Sequence, residues 1–297
     1  MKRIVAAALC AVATTGHAVE PVGTLVHPAL SEVSGIVKSE AGEFYWVHND
    51  SGDTARVFAL DPHGTPLKPP FIDGSPADWP GLVVDNAWHY DWEDIALADG
   101  TLYIADVGNN GNSRRDMGVY VVREPDPRAV AKMRAHAFLP IRYPDQEHFP
   151  AKVWHFDCEA VFVDRGKLHF ITKHRQAGKA AEWDAGAKLY RLDTGHTDRD
   201  NVLTLVGQRD DVFLATGADL SPDGSRLAVA TYVALWIFDR PATGGNWFAG
   251  KAWKLDLDLE VTKQLEAIAW EGPESLVLVN ENRDVMRVAA SAFSELP

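Results

Sequence analysis

Carboxylates and side-chain amides recur in short, similar settings along this chain of 297 residues. "SEVSGI" from Ser31, "DWEDIA" from Asp91, "DCEAVF" from Asp157 and "LEAIAW" from Leu265 each lead an acidic cluster into an apolar run. A second apolar run then leaves on polar groups: "HND" at 48–50, "DVGNN" at 106–110, "KHR" at 173–175 and "NEN" at 280–282. Oxygen-rich sets of this kind suit a hard cation, and calcium takes about six to eight ligands from carboxylates, amides and carbonyls. Zinc wants His and Cys at tetrahedral spacing, which the chain does not offer. The candidate metal ligands are therefore Glu32, Asp50, Glu93, Asp106, Glu159, Glu266 and Glu281. Crowded carboxylates raise one another's pKa or require a cation. Among them stand a few groups able to move a proton or hold an anion: His48, Arg114, Lys173, His174 and Arg175.

The elements that must position these groups form a repeat. Aligning the acidic entries superimposes Ser34, Glu93, Glu159, Ala218 and Glu266, roughly 50–65 residues apart. After each entry come a turn and a β-rich run such as "EFYWVHND", "TLYIADVGNN" or "KLHFITKHR", then a third run, and in several units a fourth. Short strands separated by Gly, Pro, Asp and Asn indicate an all-β protein, and four antiparallel strands per unit make a β-propeller blade. Five units are countable, so a single five-bladed propeller is expected. Six blades would need a degenerate one within 61–90 or 124–156. The fourth strand of the first unit is assigned to "PLKPPFID", and "DPRAVAKMRAHAF" is the main candidate for a helical insertion. The last unit lacks a fourth strand, and "VEPVGTLV" near the N-terminus can fill that place, closing the ring with strands from both ends and removing a sheet edge.

In such a blade the start of the innermost strand and the end of its antiparallel neighbour lie on one face near the axis. The candidate groups above sit at those two places, except Arg114, which lies on a longer glycine- and amide-rich loop at 106–115 over the mouth. Plainer roles compete: Asp and Asn at strand ends cap turns, as "SPDG" at 221–224 does, and the repeated Glu can weld one blade to the next through backbone amides. Lys173 and Arg175 share one side of a strand while His174 faces the other.

"MKRIVAAALCAVATTGHA" has the basic start, short apolar run and small residues of a secretory signal peptide, placing the mature propeller at 19–297 and outside the cytoplasm, periplasmic or secreted. Removal of Lys2 and Arg3 with residues 1–18 takes the formal charge from −13 to −15 and leaves Cys158 without a partner. So acidic a surface argues against nucleic acid as a partner. Nothing after the leader approaches ~20 continuous apolar residues, so no transmembrane segment is expected. A monomer is expected. GxSxG, HExxH, Walker-type and Rossmann fingerprints are all absent.

The entries "SEVSGI", "DWEDIA", "DCEAVF" and "LEAIAW", with "WVHNDSGD" and "YIADVGNN", resemble segments of exported bacterial propellers in the phytase-like and esterase-like superfamily. The resemblance spans most of residues 31–290 through short motifs. It implies calcium at the acidic mouth, with Glu93, Glu159 and Glu266 among its ligands, and phosphoester or ester hydrolysis; Ala218 breaks the acidic ring in the fourth unit. Two functions stand side by side: a calcium-dependent hydrolase of a small anionic substrate, and a non-catalytic propeller that binds a ligand or protein through the same face.

Overall fold

The computed structural model describes residues 18–297; the expected leader, Ala18 apart, lies outside the described residues. Strand β1 (Val19–Thr24) opens the described chain. The first blade follows as β2 (Val33–Lys38), β3 (Tyr45–Asn49), β4 (Arg56–Leu60) and β5 (Leu82–Asp85). The second is β6 (Trp92–Ala98), β7 (Thr101–Asp106), β8 (Gly118–Arg123) and β9 (Lys132–Arg142). The third holds β10 (Trp154–Asp164), β11 (Lys167–Gln176), β13 (Ala187–Arg191) and β15 (Thr204–Arg209). A short β12 (Lys179–Trp183) folds back on the end of β11, and β14 (Asn201–Val202) pairs with β9. The fourth is β16 (Ala215–Leu220), β17 (Arg226–Thr231), β18 (Ala234–Asp239) and β19 (Ala252–Asp256). The fifth is β20 (Leu265–Gly272), β21 (Ser275–Asn280) and β22 (Asp284–Ala289), completed by β1. A last strand, β23 (Ser294–Glu295), joins β19.

Among the described residues five innermost strands therefore surround the axis, and strands from both ends of the described chain take part in the sheets, as the repeat predicts. Residues 61–90 and 124–156 hold no sixth blade: they supply β5 and β9, which run parallel and join the first two blades into one continuous sheet. Two local expectations fail. "PLKPPFID" is irregular, and the outer strand of the first blade is "LVVD" at 82–85. The proposed helix at "DPRAVAKMRAHAF" is a turn followed by β9. Its burial alternates, with Met133 and Ala135 inward and Lys132, Arg134 and His136 outward, so pairing on both sides outweighs helix propensity.

Local chemistry sets the hairpins that aim the site. Asp99–Gly100 and Arg165–Gly166 each occupy the two-residue turn between an innermost strand and its neighbour with positive φ at both positions, the conformation that favours glycine there. The apolar core lies between successive blades: Trp92, Ile95 and Ile104 pack with Trp46 and Val47, and Phe162 and Ile171 pack with Trp236 and Phe238. Among the described residues no helix is long and apolar enough to cross a membrane.

Candidate metal and ligand site at the propeller mouth

Each innermost strand carries a β-bulge at the same depth. The skipped residues are Ser34, Glu93, Glu159, Thr216 and Glu266. A bulge re-aims one side chain without disturbing the rest of the pairing. The fourth entry thus aligns on Thr216 and not on Ala218, two residues further along. The two hydroxyl residues weld blades: Ser34 Oγ donates to the carbonyl of Glu93, and Thr216 Oγ1 donates to that of Leu265 at 2.9 Å. The three glutamates instead project into a basin of about 220 Å³ at the mouth, shared with Asp50, Asn110, Lys173, Arg175, Trp183, Tyr232, Gln264 and Glu281.

One side of the basin is a neutralised half. Lys173 Nζ lies 3.1 Å from Glu159 Oε2, and Arg175 reaches Asp157 at 2.6 Å and Glu159 at 3.2 Å. All four side chains are buried. Burial works against the Lys173 charge, but Glu159 and Glu266 outweigh it and hold its pKa well above the ordinary lysine value. Arg175 is held further by the Ala180 carbonyl at 2.6 Å and lies over the Trp183 ring. Lys173 also donates to Tyr232 Oη at 3.1 Å, and that hydroxyl donates to Glu266 at 2.6 Å. Gln264 links Glu266 to Glu281. Burial, then Glu266, pushes Glu281 up to about 7.

The other side has no such partners. Glu93 is 3% exposed, and among the described residues no donor reaches its carboxylate. Burial, then the Glu159 charge, raises its pKa well above the carboxylate range. Burial likewise pushes Asp50 up to about 6 and, with Asp50 and Asp157 adding to it, Asp91 up to about 7. Ligand oxygens of Asp50, Asp91 and Glu93 all lie within 4.8 Å of one another, and so do those of Glu93, Asp157 and Glu159. Two oxygens on opposite sides of one calcium ion, each ~2.4 Å away, would stand about that far apart. The space beside them is kept by Gly108, on which a Cβ would collide with Glu93 Oε1 and Asp91 Oδ2. The residues present thus fit a hard cation: oxygen donors only, a buried carboxylate without a donor, and a cradle that a side chain would fill.

Several sequence candidates lie elsewhere. His48 is fully buried beneath the mouth, edge-on to Trp92, with Nδ1 on the Asn49 carbonyl at 2.9 Å. Burial lowers its pKa to about 4. His174 points away from the basin, stacked on His155 at 3.7 Å and bonded to Thr172 and the Ala185 carbonyl; burial, then His155, lowers it to about 4. Arg114 is spent on Asp106 at 2.8 Å, the Gly108 carbonyl and Asp116, and lies over Tyr90. Asp106 meanwhile accepts from the backbone of Tyr90 and Asp91, so the pair braces the loop after β7. Glu32 is exposed in a neighbouring groove with Asn49 and Asp53. Gly108, Thr216, Trp183 and Gln264 escaped the sequence reading. The two-residue offset of "TGADL" hid Thr216, and the turn at "QAGK" (176–179) between β11 and β12 is the sequence signal for the arm that carries Trp183 to the basin.

No protein-family model matches the chain, and no curated protein sequence matches it. Among solved structures it is similar to a PQQ-bound aldose sugar dehydrogenase from Streptomyces coelicolor (13% identity, 91% of this chain and 97% of that one, TM-score 0.45). It is similar to a gluconolactonase from Xanthomonas campestris (15%, 90% and 88%, TM-score 0.47) and a glutaminyl cyclase from Myxococcus xanthus (12%, 94% and 97%, TM-score 0.48). Likeness this distant carries no activity across, and the chemistry rests on the site alone.

Proposed function

We propose that this propeller is an exported hydrolase that holds calcium among Asp50, Asp91 and Glu93 and cleaves a small anionic ester, phosphoesters foremost. The observation that carries the reading is Glu93: a buried carboxylate without a donor, within ligand distance of two further acids, beside a glycine whose side chain would close the gap. A bound cation of this kind supplies Lewis-acid polarisation of an ester oxygen and a lowered pKa for water. The chain's own groups do the rest. Lys173 has three N–H donors; Glu159 and Tyr232 take two, leaving one for a ligand oxygen in the basin it lines. Arg175 commits three of its five N–H donors to Asp157, Glu159 and the Ala180 carbonyl, and so fixes both acids. With His48 and His174 both out of reach, proton movement falls to Tyr232, Glu266 and Glu281, each hydrogen-bonded directly to the next and facing the basin. Trp183 shields the basin on the side of the β12 arm.

The test is calorimetric titration of chelator-treated protein with calcium, magnesium and manganese. It is followed by turnover of p-nitrophenyl phosphate, bis-p-nitrophenyl phosphate and an aryl acetate, with and without chelator. Calcium uptake together with chelator-sensitive turnover of one ester class supports the reading. Turnover indifferent to chelator, or no cation uptake, overturns it. Among the described residues no histidine lines the basin, which favours a second reading, a propeller that binds its anionic ligand without turning it over; calcium-dependent ligand binding with no product formed would select it.

A further inference from the structure

The two carboxylate sets at the mouth share Glu93, a layout that in principle admits two bridged cations. Their surroundings differ in one respect. Asp157 and Glu159 already face fixed positive charge from β11, since Lys173 Nζ lies 3.1 Å from Glu159 and the Arg175 guanidinium contacts both acids. Among the described residues no ammonium or guanidinium contacts the carboxylates of Asp91 and Glu93, on which Arg114 and Arg175 act only across space, and Asp50 is reached only by the N–H of Ser51. We infer that Lys173 and Arg175 stand in place of a second metal ion, so that the mouth takes one divalent cation, at Asp50–Asp91–Glu93, and uses the Lys173 ammonium as its fixed counterpart. This rests on the cation reading above and sharpens it.

The reasoning is one of competition for the same oxygens. A divalent ion entering the Glu93–Asp157–Glu159 set would have to displace a buried ammonium and a buried guanidinium, or lie against them unscreened. Both cations are locked: the ammonium by Glu159 and Tyr232, the guanidinium by Asp157, Glu159 and the Ala180 carbonyl. Aromatic faces complete the enclosure, with Lys173 over Tyr232 at 4.6 Å and Arg175 over Trp183 at 4.5 Å. The arrangement also narrows the ligand class. An ion on one side of Glu93 and an ammonium on the other suit an anion with at least two free oxygens, a phosphate or a carboxylate, bridging the two.

The experiment counts calcium per chain by native mass spectrometry and calorimetry, in the wild type and in a Lys173→Met, Arg175→Met double variant. One calcium in the wild type and two in the double variant is the expected result. The variant should also melt lower in chelator and gain more from calcium than the wild type does. Should the double variant not fold, Lys173→Gln against Lys173→Arg replaces it, with two ions expected for Gln and one for Arg. Two ions in the wild type, or one ion whether or not the charge on β11 is removed, overturns the inference while leaving the cation reading in place. No calcium on the wild type sinks the cation reading itself, so the two failures are distinguishable.

Discussion

Glu93 and Asp94 are consecutive, both carboxylates and both buried, yet they belong to regions with opposite logic. Asp94 faces the axial layer below the mouth, where its oxygens accept from the backbone N–H of Ile95 and Val161 at 2.8 Å and of Ala218 at 3.3 Å. One side chain thereby ties the second blade to the third and fourth. At the matching register the other blades carry Gly35, Ala160, Gly217 and Ala267, which leaves the axis to Asp94 and, from the first blade, to the ring of His48. Burial holds the Asp94 pKa well above the ordinary carboxylate value, and those backbone donors offset only part of the rise. Glu93, one residue earlier on the bulge, has like charges for neighbours and no donor. A buried polar group that is fully satisfied holds a fold together, whereas one left unsatisfied marks a place where a ligand belongs.

That contrast can be broken from either side. The largest effect should come from Asp94→Ala, which strands N–H groups from three blades. Each costs roughly 1–3 kcal/mol when unpaired, so a loss of about 3–5 kcal/mol in urea unfolding is expected, with Asp94→Asn milder because it keeps an acceptor. Glu93→Gln should do the reverse. Unfolding in chelator should be unchanged or up to about 1 kcal/mol harder, because a like charge is gone, while calcium affinity measured by calorimetry drops at least about tenfold, or ~1.4 kcal/mol. Gly108→Ala probes the cradle without touching a charge. The nearest atoms to its Cβ are the ends of the Glu93 and Asp91 side chains, so the fold should melt within about 2 °C of the wild type while calcium binding weakens.

The smallest effect concerns pH. Glu281 is raised to about 7 in the folded protein, so its contribution to stability is present at low pH and is lost as pH rises through about 7. Glu281→Gln should therefore flatten the dependence of melting temperature on pH between 5 and 8 by roughly 2–4 °C, as followed by circular dichroism. An unchanged slope would show that the Glu266–Glu281 pair carries no such proton.

Much of this architecture is legible in the chain. The repeated acidic entries, the two-residue Asp–Gly turn and the spare N-terminal strand are local patterns, and they lead to five blades and a closed ring because each depends on neighbours in sequence. The mouth as a gathering place for Glu93, Glu159, Glu266, Asp50, Glu281 and Lys173 was legible for the same reason, since strand ends and alternation decide the face. Roles within the mouth were not. Whether a carboxylate meets an N–H, an ammonium or another carboxylate depends on groups 50 to 125 residues away: Asp94 on Val161 and Ala218, Lys173 on Tyr232, Ser34 on Glu93. His48 and Arg114 looked as available as Lys173, and only packing buried the first and tied the second to Asp106.

By itself, then, the sequence determined the blade count, the faces of the strands and the excess of acid at one end of the channel, all products of short-range periodicity. Tertiary structure alone decided which acids are satisfied and which are left facing one another. Desolvation and donor supply are set by what the other blades bring to the axis, and no local pattern encodes that.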